Sequence, residues 1–249
     1  MSAAPATNSA GPVKYALVTG ASGGLGAALA AELLATGAFV ALGVRDGAVR
    51  PVAAELTAAH PERARVLHVD YTEPDSLATL ATRCTFPRLD MLVNCGGVNV
   101  AAGQPAAASK GPLPDLDYGA LIHVFATNVA GPVTLCRVML PLLATGRGMV
   151  VNVSTQRASL ALTDQPGSFS YAVSKAALNM ASRKLAAELG PAGITVVAID
   201  PGWIRTRMGG PDAPRAPAEA ARQMLSTLLD PGRSLNGRFV TADGKDLPW

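Results

Sequence analysis

Two side chains that could exchange a proton stand four residues apart in the segment Tyr171-Ala-Val-Ser-Lys175. On a helix this spacing places a phenol and an ammonium on one face, within reach of each other. A free tyrosine titrates at about pH 10, and a neighbouring ammonium stabilises the phenolate and lowers that pKa. The pair is therefore a candidate general acid and base, and the alternative is a solvated helix face.

Three further polar residues could assist such a pair. Ser154 and Thr155 follow the predicted strand Gly148–Val153, and either hydroxyl could orient a carbonyl oxygen. Asn128 lies in a long helical pattern just before Gly131-Pro132, where an amide is unfavourable and the backbone is disturbed. This context predicts either a local kink with an amide-bound water or a surface asparagine near an irregular turn.

A glycine-rich segment, Thr19-Gly-Ala-Ser-Gly-Gly-Leu-Gly26, follows the apolar run Tyr15–Thr19 and opens a helical pattern at Ala27. Glycines there let the backbone approach a ligand closely, and the helix N-terminus favours an anion. The segment predicts a nucleotide phosphate site, and the alternative is a turn required only for close packing.

Apolar runs and helical patterns alternate along the whole chain. The predicted strands are 15–19, 39–44, 65–69, 89–93, 148–153, 194–199 and 238–241, and the predicted helices are 27–34, 49–59, 73–84, 116–145, 168–189 and 217–229. The alternation predicts an α/β fold, namely a single doubly wound Rossmann-type domain with a parallel sheet of about seven strands and helices on both faces. Residues 1–12 are predicted to form a disordered tail, and residues 13–249 the domain.

The residues after the second and third strands bear on the choice of nucleotide. Arg45 offers a planar fork suited to a ribose 2′-phosphate, and Val44 occupies the position where an NAD-type acid would stand. Asp46 could bind the ribose or pair with Arg45. NADP(H) is therefore favoured and NAD(H) stays possible. Asp70 could bind the adenine amino group or act as a turn residue.

Composition limits the other partners. The chain has 249 residues, is 49% hydrophobic and carries a net charge of +3 without a basic run, so no nucleic-acid partner is predicted. The three cysteines lack CxxC spacing and the three histidines lack HxxxH spacing, so no metal site is predicted. The odd cysteine number argues against a disulfide framework, so we expect a location in the reducing cytoplasm. Met1–Pro12 lacks the features of a secretory signal, and Val133–Ala144 is too short to span a bilayer, so no membrane partner is expected.

The motifs taken together resemble the classical short-chain dehydrogenase/reductase family from Pro12 onward. The matching segments are Thr19–Gly26 for TGxxxGxG, Leu89–Gly97 for LDxLVNNAG, Asn128 for the helix asparagine, Tyr171 and Lys175 for YxxxK, and Pro201–Thr206 for PGxxxT. The ending Asn236–Trp249 is similar to that of the C-factor/Sniffer-type carbonyl reductase branch.

The resemblance implies an NAD(P)-dependent oxidoreductase of small carbonyl or alcohol compounds, which works as a homodimer or homotetramer. Tyr171 would move the proton, Lys175 would hold the nicotinamide ribose and lower the tyrosine pKa, and Asn128 would bind a relay water. The catalytic serine of the family aligns with Thr155. Because the extra methyl group of threonine takes room near the carbonyl, the role could pass to Ser154 or the substrate range could narrow. The alternative is a nucleotide-sensing or signalling protein that has lost turnover.

Further residues enter as implied contacts. The cofactor set is Gly20, Ser22, Gly24, Leu25, Gly26, Arg45, Asp70, Tyr71, Asn94, Gly96, Tyr171, Lys175, Pro201, Gly202, Ile204 and Thr206. Substrate contacts are expected from residues 98–116, 156–170 and 203–217, with Gln156, Arg157, Gln165 and Trp203 as candidates.

Overall fold

The protein is a seven-stranded parallel sheet covered by helices on both faces. The computed structural model describes residues 12–45, 51–99, 117–163 and 166–249. The strands are β1 (Tyr15–Thr19), β2 (Phe39–Val44), β3 (Ala64–His68), β4 (Met91–Asn94), β5 (Met149–Val153), β6 (Thr195–Asp200) and β7 (Phe239–Thr241). Their order in the sheet is β3-β2-β1-β4-β5-β6-β7, and each neighbouring pair is parallel. The predicted doubly wound fold is confirmed.

Eight α-helices connect the strands in the described residues. They are α1 (Gly24–Ala35), α2 (Pro51–Ala59), α3 (Pro74–Ala78), α4 (Leu80–Arg83), α5 (Tyr118–Phe125), α6 (Gly131–Gly146), α7 (Phe169–Leu189) and α8 (Pro217–Leu228). The predicted helix 73–84 is two short helices, because Thr79 leaves the helical backbone conformation. β4 begins two residues later than predicted, since the Leu89 N–H donates to Leu142 O next to α6.

The sheet is buried on both faces, which explains its nearly continuous apolar strands. One core cluster packs α1 and α8 against the sheet, with Leu29, Leu33, Met224 and Leu228 all inaccessible to solvent. The opposite cluster includes α6 and the end of α7. The carboxyl ends of the strands share one edge, and the predicted site residues follow them there.

A single continuous helical segment runs from Tyr118 to Gly146, with a π-helical turn at Ala126–Ala130 between α5 and α6. At 29 residues it is long and apolar enough to cross a membrane by length and composition alone, whereas the predicted apolar run Val133–Ala144 covers only part of it. Its inner residues Leu135, Met139 and Leu143 are buried in the core. The segment is a cover helix of the sheet in this fold.

Candidate active site

The glycine-rich turn between β1 and α1 is built so closely that other residues would not fit. Gly20 and Gly24 have φ values of +67° and +57°, in the left-handed region that favours glycine. A Cβ on Gly26 would lie 2.4 Å from the Gly20 carbonyl oxygen, and one on Gly20 would lie 3.1 Å from Gly96. Close packing therefore accounts for part of the glycine pattern.

The rest of the turn fits a bound phosphate. Gly23 caps α1 without a side-chain hydrogen bond, and the first turn of the helix carries no acidic residue. A Cβ on Gly23 would meet no described atom within 4 Å, so the turn is open on that side. Peptide N–H groups at an uncapped helix start are the donors that a phosphate needs. Ser22 is half-buried here, whereas Leu25 is buried.

The loop after β6 closes one side of this turn. The Thr206 methyl group lies 3.2 Å from the position that a Cβ on Gly24 would take. Pro201 accepts a hydrogen bond from Arg215 Nη1 at 3.0 Å, and Ile204 is buried beside the same loop. Gly202, with φ of +79°, donates its N–H to Asp200 Oδ1 at 2.9 Å. The structure thus brings Thr206, the last residue of the predicted segment Pro201–Thr206, to the glycine turn.

Two predicted cofactor side chains instead form an internal hydrogen-bond ladder. The Tyr71 hydroxyl lies 2.8 Å from Thr19 Oγ1 and donates to Asn94 Oδ1, also at 2.8 Å. Asn94 Nδ2 donates to Asn152 Oδ1, which continues the ladder to Ser182. Burial raises the pKa of Tyr71 well above its ordinary value. The side chains of Tyr71 and Asn94 are thus bound to each other and to neighbouring side chains inside the protein.

The residues predicted to select the nucleotide lie at the expected edge. Arg45 directly follows β2 and is exposed, and the Ala21 N–H donates to Gly43 O, which joins the glycine turn to β2. Asp70 Oδ1 accepts from the N–H and the hydroxyl of Thr72, both at 2.7 Å, so one carboxylate oxygen serves a local turn. Asp46 lies outside the described residues.

Tyr171 and Lys175 lie one helical turn apart near the start of α7. Lys175 is only 4% exposed, and its Nζ donates to Val153 O at 2.8 Å and lies 5.9 Å from the centroid of the Tyr171 ring. Burial lowers the pKa of Lys175 to about 8. Val153 O is the one hydrogen-bond acceptor that the described residues give this ammonium, although it carries three donors. Two donors are left for a ligand.

The expected effect of Lys175 on the tyrosine is not what the structure shows. Burial raises the pKa of Tyr171 well above its ordinary value, the Asp200 carboxylate raises it further, and Arg157 opposes both. The phenol hydroxyl forms no hydrogen bond with a described residue. In the protein alone, burial of the ring is the largest cause of the raised pKa, and the Asp200 charge acts in the same direction.

Asn128 is buried within the π-helical turn, so the interpretation as a surface residue was wrong. Its Oδ1 accepts from Val98 N at 2.9 Å, and its Nδ2 donates to Val98 O at 2.8 Å and to Ser174 Oγ at 3.0 Å. Ser174 Oγ in turn donates to Tyr171 O. The amide therefore ties the chain after β4 to the start of α7, and both of its Nδ2 protons are used in these contacts.

The two candidate hydroxyls after β5 differ in where they point. Ser154 is 2% exposed, and its Oγ donates to Asn179 Oδ1 at 2.6 Å inside the protein. Thr155 is half-buried, and its Oγ1 accepts a hydrogen bond from Arg157 N at 3.3 Å. The proton of the Thr155 hydroxyl therefore has no acceptor among the described residues, whereas that of Ser154 is used.

Several site residues were missed by the sequence reasoning. Asp200 is buried at the end of β6 beside Tyr171, and burial raises its pKa. Asn152 and Asn179 support the ladder and Ser154. A signal existed for Asn152 and Asp200, because a polar residue within or at the end of an apolar strand must find an internal partner.

The predicted substrate contacts are described only in part. Gln156 and Arg157 are exposed on a 3₁₀ turn, Gln156–Ala158, directly after Thr155. Trp203 is 59% exposed, and its Nε1 donates to Gly209 O. Gln165 and residues 100–116 lie outside the described residues. Among the described side chains, no three His, Cys, Asp or Glu come together as metal ligands would.

Comparison with known proteins places this arrangement in a family. The chain matches the family model for short chain dehydrogenases over residues 14–216. It is 38% identical over 169 residues to the C-signal of Myxococcus xanthus, which covers 67% of this chain and 95% of that protein.

Two solved structures share the whole fold. Carbonyl reductase Sniffer of D. melanogaster superposes with a TM-score of 0.86 at 26% identity, covering 95% of this chain and 100% of that one. An NADPH-bound carbonyl reductase from chicken fatty liver gives 0.83 at 27% identity, covering 95% and 99%. The chain belongs to the short-chain dehydrogenase/reductase family of NAD(P)-dependent oxidoreductases, in its C-factor/Sniffer-like branch.

Proposed function

We propose that this protein reduces a ketone or aldehyde to an alcohol with NADPH, and that the same site can run the reverse oxidation. The observation that carries the proposal is the buried Lys175 ammonium, which has one hydrogen-bond acceptor within the described part of the chain and lies beside the Tyr171 ring. A buried charge left with unused donors is expected where a ligand completes its hydrogen bonds. The nicotinamide ribose hydroxyls would be suitable acceptors.

Each residue of the site then has a defined task. The reduced nicotinamide supplies the hydride when it is bound. Tyr171 gives its phenol proton to the carbonyl oxygen, and the Thr155 hydroxyl donates a hydrogen bond to the same oxygen. Lys175 holds the ribose and favours the phenolate as the proton leaves. Asn128 acts through Val98 and Ser174, which fix the start of α7.

The preference for NADPH rests on two observations. Arg45 follows β2, where the 2′-phosphate of NADP(H) would lie, and its guanidinium can form two hydrogen bonds to phosphate. The related carbonyl reductase from chicken fatty liver is described with NADPH bound. NAD(H) would lack the phosphate that Arg45 binds, so we expect weaker binding of that cofactor.

The direct test is a panel of ketones, aldehydes and alcohols assayed with NADPH and NADH by the absorbance of the reduced nicotinamide. We expect NADPH to be consumed with at least one carbonyl compound and NADH to be used less efficiently. Failure of either dinucleotide to bind the purified protein in a titration would contradict the proposal.

A signalling role without turnover is the second candidate, because one relative of similar sequence is the C-signal of Myxococcus xanthus. The variant Tyr171→Phe separates the two functions. An enzyme loses turnover and keeps its affinity for the cofactor, whereas a sensor keeps its signalling output.

We also propose that the protein forms a homodimer or homotetramer. Apolar side chains are exposed along α5 and α7, with Tyr118 79%, Ile122 51% and Met180 63% accessible in the single chain. Such a patch on a soluble domain marks an association surface. Sedimentation should give a mass of at least two chains, and a monomer at assay concentration would contradict this.

The three free cysteines agree with a cytoplasmic location, which cell fractionation can check.

A further inference from the structure

The last residue of the chain is joined to a loop of the active site. The main-chain oxygen of Trp249 accepts hydrogen bonds from Ser159 Oγ and from the Ala161 N–H, both at 3.3 Å. Ser159 is fully buried, and its Oγ also accepts from the Leu162 N–H at 3.2 Å. The main-chain oxygen of Trp249 therefore holds the segment from Ser159 to Leu162, although Ser159 and Trp249 are 90 residues apart in sequence.

The Trp249 ring is held in turn by two elements of the fold. It stacks on Phe239 of β7, with ring centroids 5.5 Å apart and planes inclined by 30°. The second element is α7, whose Arg183 guanidinium lies 5.5 Å from the centroid of the Trp249 ring. Phe239 is 1% exposed, so the ring is anchored on the core itself.

The segment leading to Trp249 is also fixed. After β7 the chain turns back, and the Leu247 N–H donates to Phe239 O at 2.8 Å. The main chain of Asp246 forms an antiparallel β-bridge with Val240, and its carboxylate forms an ion pair with Arg238. These contacts hold Trp249 at one position beside the loop, so its main-chain oxygen is a fixed acceptor.

The loop that Trp249 holds begins at residues of the proposed reaction site. Its first residues are Thr155, Gln156 and Arg157, and the Thr163 hydroxyl closes it by donating to Arg157 O at 3.0 Å. The positive charge of Arg157 acts on the Tyr171 phenol, where it lowers the pKa. α7, which carries Tyr171 and Lys175, also carries the Arg183 contact to the Trp249 ring.

We propose that Trp249 is a positioning residue of the active site. It holds the segment 155–163 against α7 and β7, and thereby sets the distance between the Thr155 hydroxyl and the Tyr171 phenol. This inference rests on the proposed carbonyl reduction, in which both groups hydrogen-bond to one oxygen. Misplacement of catalytic groups by about 1 Å can lower a rate by about 100-fold, so a loosened loop is expected to affect catalysis strongly.

The test uses the full chain with Trp249→Ala and Trp249→Phe. We expect Trp249→Ala to lower kcat/KM for the carbonyl substrate by about 10- to 100-fold, with unchanged affinity for NADPH. Both variants keep the main-chain oxygen, but only Trp249→Phe keeps an aromatic ring on Phe239, so it should retain most of the activity. In hydrogen exchange, the amides of Ala161 and Leu162 should lose protection in Trp249→Ala and keep it in Trp249→Phe.

A matched control separates positioning from general loss of stability. Leu228→Ala opens a cavity on the opposite face of the sheet, among the α1 and α8 side chains. It should lower the unfolding midpoint without changing kcat/KM or the exchange of the loop. Equal losses of kcat/KM in Leu228→Ala and Trp249→Ala would overturn the proposal, and so would unchanged loop exchange in Trp249→Ala.

The two levels of the proposal fail differently. If the wild-type protein reduces no carbonyl compound, the proposed function fails, and the exchange result alone decides whether Trp249 holds the loop. If the wild type is active and Trp249→Ala loosens the loop at full kcat/KM, the positioning role is overturned while the proposed function stands.

Discussion

Replacing Lys175 by methionine is expected to stabilise the protein while it abolishes function. Lys175 is buried, and its pKa is lowered from 10.5 to about 8. At about 1.4 kcal/mol per pKa unit, keeping this ammonium charged in the folded protein at neutral pH costs about 3 kcal/mol. Methionine fills a similar space without the charge, but it loses the hydrogen bond to Val153 O, which contributes about 1 kcal/mol.

The net expectation for Lys175→Met at neutral pH is a gain of about 2 kcal/mol in the free energy of unfolding, or about 4–8 °C in Tm. The gain depends on pH with a defined sign. Between the folded pKa of about 8 and the unfolded value of 10.5, the unfolded wild type binds more protons, so wild-type stability rises with pH. The advantage of the variant is therefore largest below about pH 8 and is gone near pH 10.5.

Urea unfolding at fixed protein concentration, without cofactor and across this pH range, measures the effect. Lys184→Met is the matched control, because Lys184 lies on the same helix with a side chain 70% exposed and an ion pair to Glu188. Its stability should change little and without this pH dependence. A less stable Lys175→Met at neutral pH, or a gain that does not fade at alkaline pH, would refute the assignment of Lys175 as an unsatisfied buried charge.

Two further changes test the electrostatics of the site. Asp200→Asn removes a negative charge that raises the pKa of Tyr171, so the alkaline fall in kcat/KM for reduction should begin at a lower pH than in the wild type. Asp212→Asn is the control, because Asp212 is exposed in the loop after β6, and it should leave the pH dependence of kcat/KM unchanged. Arg45→Ala should weaken NADPH binding by about tenfold or more and leave NADH binding unchanged, as measured by titration. Arg222→Ala on α8 is the control for loss of a surface charge. Equal losses of affinity for both cofactors would contradict the 2′-phosphate assignment.

The sequence predicted those features that depend on local pattern. The alternating apolar runs located all seven strands, and the glycine spacing located the turn that now shows left-handed backbone at Gly20 and Gly24. The spacing of Tyr171 and Lys175 correctly predicted one helix, α7. These features follow from backbone sterics and helix geometry, which a short stretch of sequence determines.

Other features depend on contacts between distant segments and could not be predicted. The direction in which the Tyr171 pKa moves is set by burial and by Asp200, neither of which the helix spacing reveals. The sequence leaves Ser154 and Thr155 as alternatives, because the hydrogen bond from the Ser154 hydroxyl to Asn179 joins two different elements of the fold. The contact of Trp249 with Ser159 joins residues 90 apart, and no local pattern encodes it.

The most direct test of the central claim follows the hydride and the proton together. Wild-type protein is supplied with NADPH that carries deuterium at nicotinamide C4 and with a carbonyl compound found active in the panel. We predict that the alcohol product carries the deuterium on its carbinol carbon, and that Tyr171→Phe binds NADPH normally but forms product about 10²- to 10⁴-fold more slowly. A Tyr171→Phe protein that reduces the substrate at the wild-type rate, or a product without deuterium, would contradict the account.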